Sequence, residues 1–484
     1  MNIVYVSPEI DPFARTGGLG DVLGALPKSI ARLGHRVSLF MPLYKQVKSA
    51  SGGGFSLSPT KITVAVPMPD KTPVGLVYSS YMPEARILVY FIENKEYFER
   101  ADFYKDPATG QDYKDNCERF AFFSKAVLET IKALGQSPDV LHANDWQTAL
   151  VPTYLKTLYR DDPLFRNTLT VFTVHNLAYQ GLYPKEDMPK TLLDWGYFNW
   201  KQLEYHGKLN ILKAGLVFSD IITTVSKRYA QEIQTQEFGR GLEGVLLERS
   251  KDLFGIVNGV DYNVWNPEKD KLIPSRYSLK NLKGKKACKK HLQRKCGLAE
   301  KDVPLIGWIG RLTEQKGIDL LLEGWEELMG LDLDFVLLGK GDQPYEEALK
   351  AKAAKYPGKA SVNIGFDNRL SHEIEAGVDM FLMPSKFEPC GLNQLYSLKY
   401  GTVPIVRLTG GLVDTVDEQV GFTFNSSSVA EMLATVKKAV EAYGHPACWT
   451  ELMRRGMLQD WSWDKSAREY VELYQKGLRD KGRQ

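Results

Sequence analysis

Cysteine is scarce. The five in 484 residues, Cys117, Cys288, Cys296, Cys390 and Cys448, are odd in number and form no CxxC pair, which argues against a disulfide framework and against a zinc site. Neither sign of charge is in excess: 62 basic and 59 acidic residues leave +3, and no block of like charges offers a field for nucleic acid, which is excluded as a partner. No apolar stretch reaches the ~18 residues of a membrane-spanning helix, so no membrane partner is expected. The opening MNIVYVSPEI reads as a strand rather than a secretion signal, and a cytoplasmic location is expected. Internal repeats are missing. So are the GxGxxG fingerprint, the Walker A loop, a Ser/His/Asp order and HExxH, so neither a cofactor nor a metal is expected.

What is present is the composition of an ordinary globular chain, 43% hydrophobic and 25% charged, long enough for two large domains at roughly 100 to 200 residues each. Short apolar runs alternate with amphipathic stretches, the pattern of buried parallel strands joined by crossover helices. The runs are Ile3 to Val6, Val37 to Met41, Ile87 to Ile92, Val140 to His142, Thr170 to Val174 and Ile221 to Val225, then Gly255 to Val257, Leu305 to Ile309, Phe335 to Leu338, Val362 to Ile364, Met380 to Met383 and Val403 to Val406. The fold class is α/β, with a hinge near residues 240 to 260. From Ser428 onward only helical patterns remain, and Trp463, Ala467, Tyr470, Val471 and Tyr474 fall on one face of a last helix. Glycines make Ser49 to Ser58 a mobile loop.

Open α/β sheets bind ligands beyond the carboxyl ends of their strands. Past those ends come SPEIDPFARTGGLGD, HANDW and HN in the first half, and GRLTEQKG, PSKFEPCG and RLTGG in the second. Gly17 and Gly18, and again Gly410 and Gly411, suit either a phosphate-approaching loop or a plain tight turn. Arg311 and Lys316, just past a strand, could aim two cations at one diphosphate, or could lie on a solvated face. Glu388, between Phe387 and Pro389, reads as a site carboxylate or as a helix N-terminal acid. Asp145 and Trp146 suit a sugar platform, or a cap and a core tryptophan; His142 and His175 suit core positions equally well.

Taken together, RTGGLGDV at 15 to 22, GQDYKDNCERFAFFSKA at 110 to 126, HANDWQTAL at 142 to 150, TVHNLAYQG at 173 to 181, GKLNILKAG at 207 to 215, NGVDYNVWNP at 258 to 267, GRLTEQKG at 310 to 317 and FEPCGLNQLYSLKYGTVPIV at 387 to 406 resemble the bacterial glycogen synthases and plant starch synthases, nearly end to end. The resemblance implies the GT-B architecture, two Rossmann-like domains facing across a deep cleft: an acceptor-side domain over 1 to 250, a nucleotide-sugar domain over 251 to 463, and a helix at about 464 to 484 returning to the first. It implies retaining transfer of glucose from ADP-glucose to the non-reducing end of an α-1,4-glucan, glycogen or a maltooligosaccharide.

By the same resemblance, Arg15, Gly17, Gly18, Asn258, Arg311, Lys316, Gly410 and Gly411 contact the donor, and Asp145 and Trp146 the acceptor. Arg311, Lys316, Glu388 and the backbone carbonyl of His175 carry the chemistry. Arg15 departs from the family's lysine, and Tyr396 stands where many related retaining transferases have a second glutamate. Rival readings are a same-fold enzyme using UDP-glucose and a non-catalytic glucan-binding or regulatory protein. The latter would be marked by loss of Arg311, Lys316 or Glu388, all present. A nicotinamide oxidoreductase is disfavoured by the missing fingerprint.

Overall fold

The computed structural model describes residues 1 to 51 and 54 to 482. Gly52 and Gly53 of the expected loop at 49 to 58, and Arg483 and Gln484 of the expected last helix, lie outside the described residues. The chain divides into two compact units, one of residues 1–225, 230–256 and 463–484, the other of residues 226–229 and 257–462.

Among the described residues the main sheet of the first unit has nine strands: β1 (Asn2–Val6), β2 (Arg36–Pro42), β3 (Ser58–Ala65), β4 (Val74–Tyr81), β5 (Leu88–Glu93), β6 (Val140–Asn144), β7 (Leu169–Val174), β8 (Ile221–Thr224) and β9 (Leu253–Gly255). They lie in the order β9-β8-β7-β6-β1-β2-β5-β4-β3. The pairs from β9 through to β5 are parallel; β3 and β4 add antiparallel at one edge. This hairpin is absent from the sequence expectation. On β3 only Val64 is fully buried, so the strand shows no apolar run for a pattern reading to find. Strand β7, by contrast, is buried at every residue.

The last helix, Trp463–Lys481, belongs to this unit. Its Tyr474 hydroxyl sits 2.9 Å from the Tyr5 hydroxyl and 2.7 Å from His142 Nδ1. Arg32 reaches Asp464 at 2.7 Å. His142 is therefore a core residue; burial pushes its imidazole down to about 3, so it stays neutral.

The second unit holds six parallel strands, β10 (Leu305–Leu312), β11 (Asp334–Gly341), β12 (Ala360–Ile364), β13 (Met380–Met383), β14 (Val403–Arg407) and β15 (Phe422–Phe424), in the order β12-β11-β10-β13-β14-β15. Its core gathers Trp308, Ile318, Leu321, Trp325, Phe335, Leu337, Ile405 and Val436. In each sheet the order reverses about one strand, β1 in the first and β10 in the second, and the reversal opens a crevice beyond the carboxyl ends for the loops that follow.

Candidate active site

In the first unit the loop after β1 runs into the helix Gly18–Arg32. It is anchored by Glu9, 3% exposed, whose carboxylate accepts the Thr16 N–H (2.5 Å), the Thr16 hydroxyl (2.6 Å) and the Tyr104 hydroxyl (2.7 Å). Sequence reasoning missed Glu9, although an acid directly after the first strand was the signal. A Cβ on Gly17 or Gly18 would meet nothing within 4 Å among the described residues, and Gly17 is extended at φ −168°. Packing does not require glycine there, which favours close approach by a ligand over a tight turn.

Arg15 holds Asp21 at 2.6 Å and lies 3.9 Å from Asp11. Its stem lies against Gly20, where a Cβ would come within 2.8 Å. Burial raises the Asp21 carboxyl, opposed by Arg15.

After β6, Asp145 takes φ +57°, an uncommon conformation for a residue with a side chain and one that accumulates at functional sites. It is over-determined. The Asp145 N–H donates to Thr173 O (2.9 Å), and its Oδ1 accepts the His175 N–H at 2.7 Å. Desolvation pushes the carboxyl up to about 7, with Glu9 adding to the rise and the backbone N–H groups of His175 and Asn176 opposing it. His175 Nε2 lies 3.0 Å from Asn144 Oδ1, whose amide nitrogen donates to Val6 O. Nε2 therefore carries the proton, and burial holds the ring neutral, down to about 3.

Trp146 is 7% exposed, with the Phe120 ring edge-on at 5.1 Å and Gly181 so close that a Cβ there would come within 2.6 Å of the indole. Its faces are packed, and it fixes the 181 loop beside Asp145.

In the second unit β10 extends to Leu312, three residues beyond the expected run, so exposed Arg311 is a strand-end residue paired with Lys340 of β11. Gly317, at φ +72°, has Pro384 O where a Cβ would lie, 2.1 Å away. That contact, open only to glycine, brings Lys316 onto the segment after β13. There Lys316 Nζ meets Glu388 Oε2 at 2.5 Å, and the Ser385 hydroxyl donates to the same oxygen at 3.1 Å. Glu388 is 5% exposed and lies five residues before the nearest helix, Asn393–Tyr400, so it is an ion-paired loop residue and not a helix N-terminal acid. Sequence spacing cannot show this pair, because 72 positions separate its members.

The loop after β14 closes on the same segment. A Cβ on Gly410 (φ +49°) would lie 1.9 Å from Glu388 O, and one on Gly411 2.2 Å from Cys390 O. The Gly411 N–H donates to Glu388 O at 3.0 Å. The Asn258 N–H faces the Cys390 thiol, which burial raises to about 12, and Asn258 Oδ1 is buried without a partner among the described residues. The structure thus gathers Asn258, Lys316, Glu388, Gly410 and Gly411 at one sheet edge, with Arg311 at the end of β10. It gathers Arg15, Gly17, Gly18, Asp145, Trp146 and His175 at the corresponding edge of the other sheet. Among the described residues, no three His, Cys, Asp or Glu side chains converge as a metal cage would require.

Residues 2–248 match the family model described as starch synthase catalytic domain, and residues 289–454 that of glycosyl transferases group 1. A glycogen synthase of Koribacter versatilis is 45% identical over 98% of this chain and 98% of its own length. One from Pseudothermotoga lettingae is 46% identical over 99% of this chain and all of its own. Among solved structures, the catalytic domain of starch synthase IV from Arabidopsis thaliana bound to ADP and acarbose superposes with a TM-score of 0.90 at 32% identity, covering 99% of both chains. A sucrose-phosphate synthase from Thermosynechococcus elongatus, at 16% identity, covers 98% of both chains with a TM-score of 0.61, a likeness of fold alone.

Proposed function

The chain belongs to the glycogen and starch synthase family, and on that premise we propose that it transfers glucose from ADP-glucose to the non-reducing end of an α-1,4-glucan with retention at the anomeric carbon. The observation that carries the donor side is the Lys316–Glu388 pair, locked against Gly410 and Gly411 at the switch point of a parallel sheet. The Arabidopsis starch synthase with bound ADP supports the adenine nucleotide. No helix among the described residues is long and apolar enough to cross a membrane; the described cysteines are all unbridged, and we place the enzyme in the cytoplasm.

Breaking the bond from anomeric carbon to phosphate leaves negative charge on the departing diphosphate. Lys316 and Arg311 are assigned to it, where fixed cations favour the transition state over the ground state. Gly17 and Gly18 let backbone approach the donor, Arg15 supplies a further cation, and Asn258, Gly410 and Gly411 complete the donor contacts. Glu388 holds the donor sugar. Its Oε2 already accepts an ammonium and a hydroxyl, which suits an orienting carboxylate better than a covalent nucleophile.

Attack then comes from the face of the leaving group, and the phosphate takes the acceptor hydroxyl's proton. The His175 carbonyl steadies positive charge at the sugar carbon, the N–H groups on either side of it, those of His175 and Asn176, both donating to the Asp145 carboxylate. Asp145, titrating near neutrality, accepts an acceptor hydroxyl, and Trp146 shapes the loop beside it. Labelled ADP-glucose and UDP-glucose, supplied separately with glycogen, test this reading. Incorporation into polymer from ADP-glucose is the expected result; incorporation from UDP-glucose alone, or from neither, overturns it.

A further inference from the structure

Behind the donor residues of the second unit stands a three-ring stack to which no part of the proposed chemistry has been assigned. Trp265, in the segment that leads on from Asn258, lies between two parallel rings. His372 is on one face, with ring centroids 3.8 Å apart and planes 8° apart, and Tyr396 is on the other, at 4.0 Å and 5°. The far end is fixed by a buried charge: His372 Nδ1 donates to Asp270 Oδ2 at 2.8 Å, and the Tyr400 hydroxyl donates to the same oxygen at 2.6 Å. His372 is 1% exposed and its Nε2 has no partner among the described residues, so its hydrogen bonding serves only to set the plane of the ring.

The near end is tied to the strand that carries Arg311. Asn393, Tyr396 and Tyr400 recur at i, i+3 and i+7 along the helix Asn393–Tyr400, and therefore share a face. Asn393 Nδ2 donates to Ile309 O at 2.8 Å, just before Arg311. Tyr400 is bound to Asp270. Tyr396, half-buried between them, stands on the face that runs from the end of β10 to the stack, eight positions after Glu388.

We infer that Trp265, clamped between His372 and Tyr396, is a positioning residue for the nucleotide-sugar donor, holding Tyr396 and the start of its helix at the donor edge of the second sheet. The inference rests on the donor reading of that edge. Parallel ring faces resist tilting, and each contact is a modest stabilisation that is lost when the central ring is removed. Removing it leaves Tyr396 unsupported on one side and His372 on the other, and loosens the segment that Trp265 shares with Asn258.

The test is steady-state kinetics with ADP-glucose and glycogen, together with ADP affinity by calorimetry, on Trp265→Ala, Trp265→Phe and Tyr396→Ala. Expected are a donor KM and an ADP Kd raised about tenfold in Trp265→Ala, a glycogen KM within about twofold of the parent, and recovery of most of the loss in Trp265→Phe. A purely structural role would instead lower the active fraction and Tm and leave both KM values unchanged. That result, or equal rises in both KM values, overturns the inference. If Trp265→Ala does not fold, Tyr396→Ala on the half-exposed face decides, with the same tenfold donor effect expected and an unchanged donor KM contradicting it. Failure of the parent enzyme to use ADP-glucose would strike the donor reading itself; an active parent with an unaffected Trp265→Ala strikes only the stack.

Discussion

At the residue scale, the Asp145 carboxyl and the Arg15 guanidinium each yield a measurable outcome. Burial lifts the Asp145 carboxyl from 3.8 to about 7, so between those values the native state keeps a proton that the unfolded chain has released. Stability is then fullest below pH ~4 and falls as pH rises towards 7, because the slope follows the difference in bound protons. The carboxylate that accepts a glucan hydroxyl forms over the same range. The glycogen KM should fall as pH is raised from 6 to 8 with a midpoint near 7, and Asp145→Asn should be weaker and flat with pH. The Tm of Asp145→Asn relative to the parent should rise from pH 5 to pH 8, a comparison that calorimetry makes directly. Arg15 is engaged with Asp21, which separates two roles. As a donor cation, Arg15→Ala should raise the donor KM about tenfold while Arg15→Lys keeps most of the affinity. As a mere tether for the helix Gly18–Arg32, its loss would be reproduced by Asp21→Asn. Donor titrations on the three variants distinguish the outcomes.

At the scale of elements, the two glycine loops look alike in sequence and differ in structure. A methyl group at Gly410 would both strain φ +49° and collide with Glu388 O, whereas one at Gly17 meets open space. Gly410→Ala should therefore lose stability, by about 1–3 kcal/mol from backbone strain alone, with activity falling alongside as the Glu388 segment shifts. Gly17→Ala should unfold at the parent's denaturant midpoint and yet bind donor less well. Chemical denaturation paired with donor KM checks both, and a Gly17→Ala variant that unfolds early would return that loop to the tight-turn reading.

Across the whole molecule, unit 1 is closed by its own two ends, since the Tyr474 hydroxyl bridges Tyr5 near the start of the chain and His142 in β6. Tyr474→Phe keeps the ring and leaves both partners buried and short of a hydrogen bond. A loss of about 1–3 kcal/mol is expected, with hydrogen exchange rising in β1 and β6 and unchanged in β10 and β13. From sequence alone came the α/β class, the buried parallel strands and the loops at their carboxyl ends, because apolar runs and glycine-rich breaks are local signals that survive without coordinates. The family was legible for the same reason, as a set of short motifs with fixed composition. Tertiary structure alone decided which of those residues meet. Lys316 touches Glu388, Gly410 packs on the Glu388 segment, Arg15 holds Asp21, and Trp146 is enclosed by Phe120 and Gly181. The edge hairpin β3–β4 and the Trp265 stack were also invisible beforehand: a strand with one buried face shows no run, and an ion pair or a ring stack joins positions whose spacing along the chain carries no period.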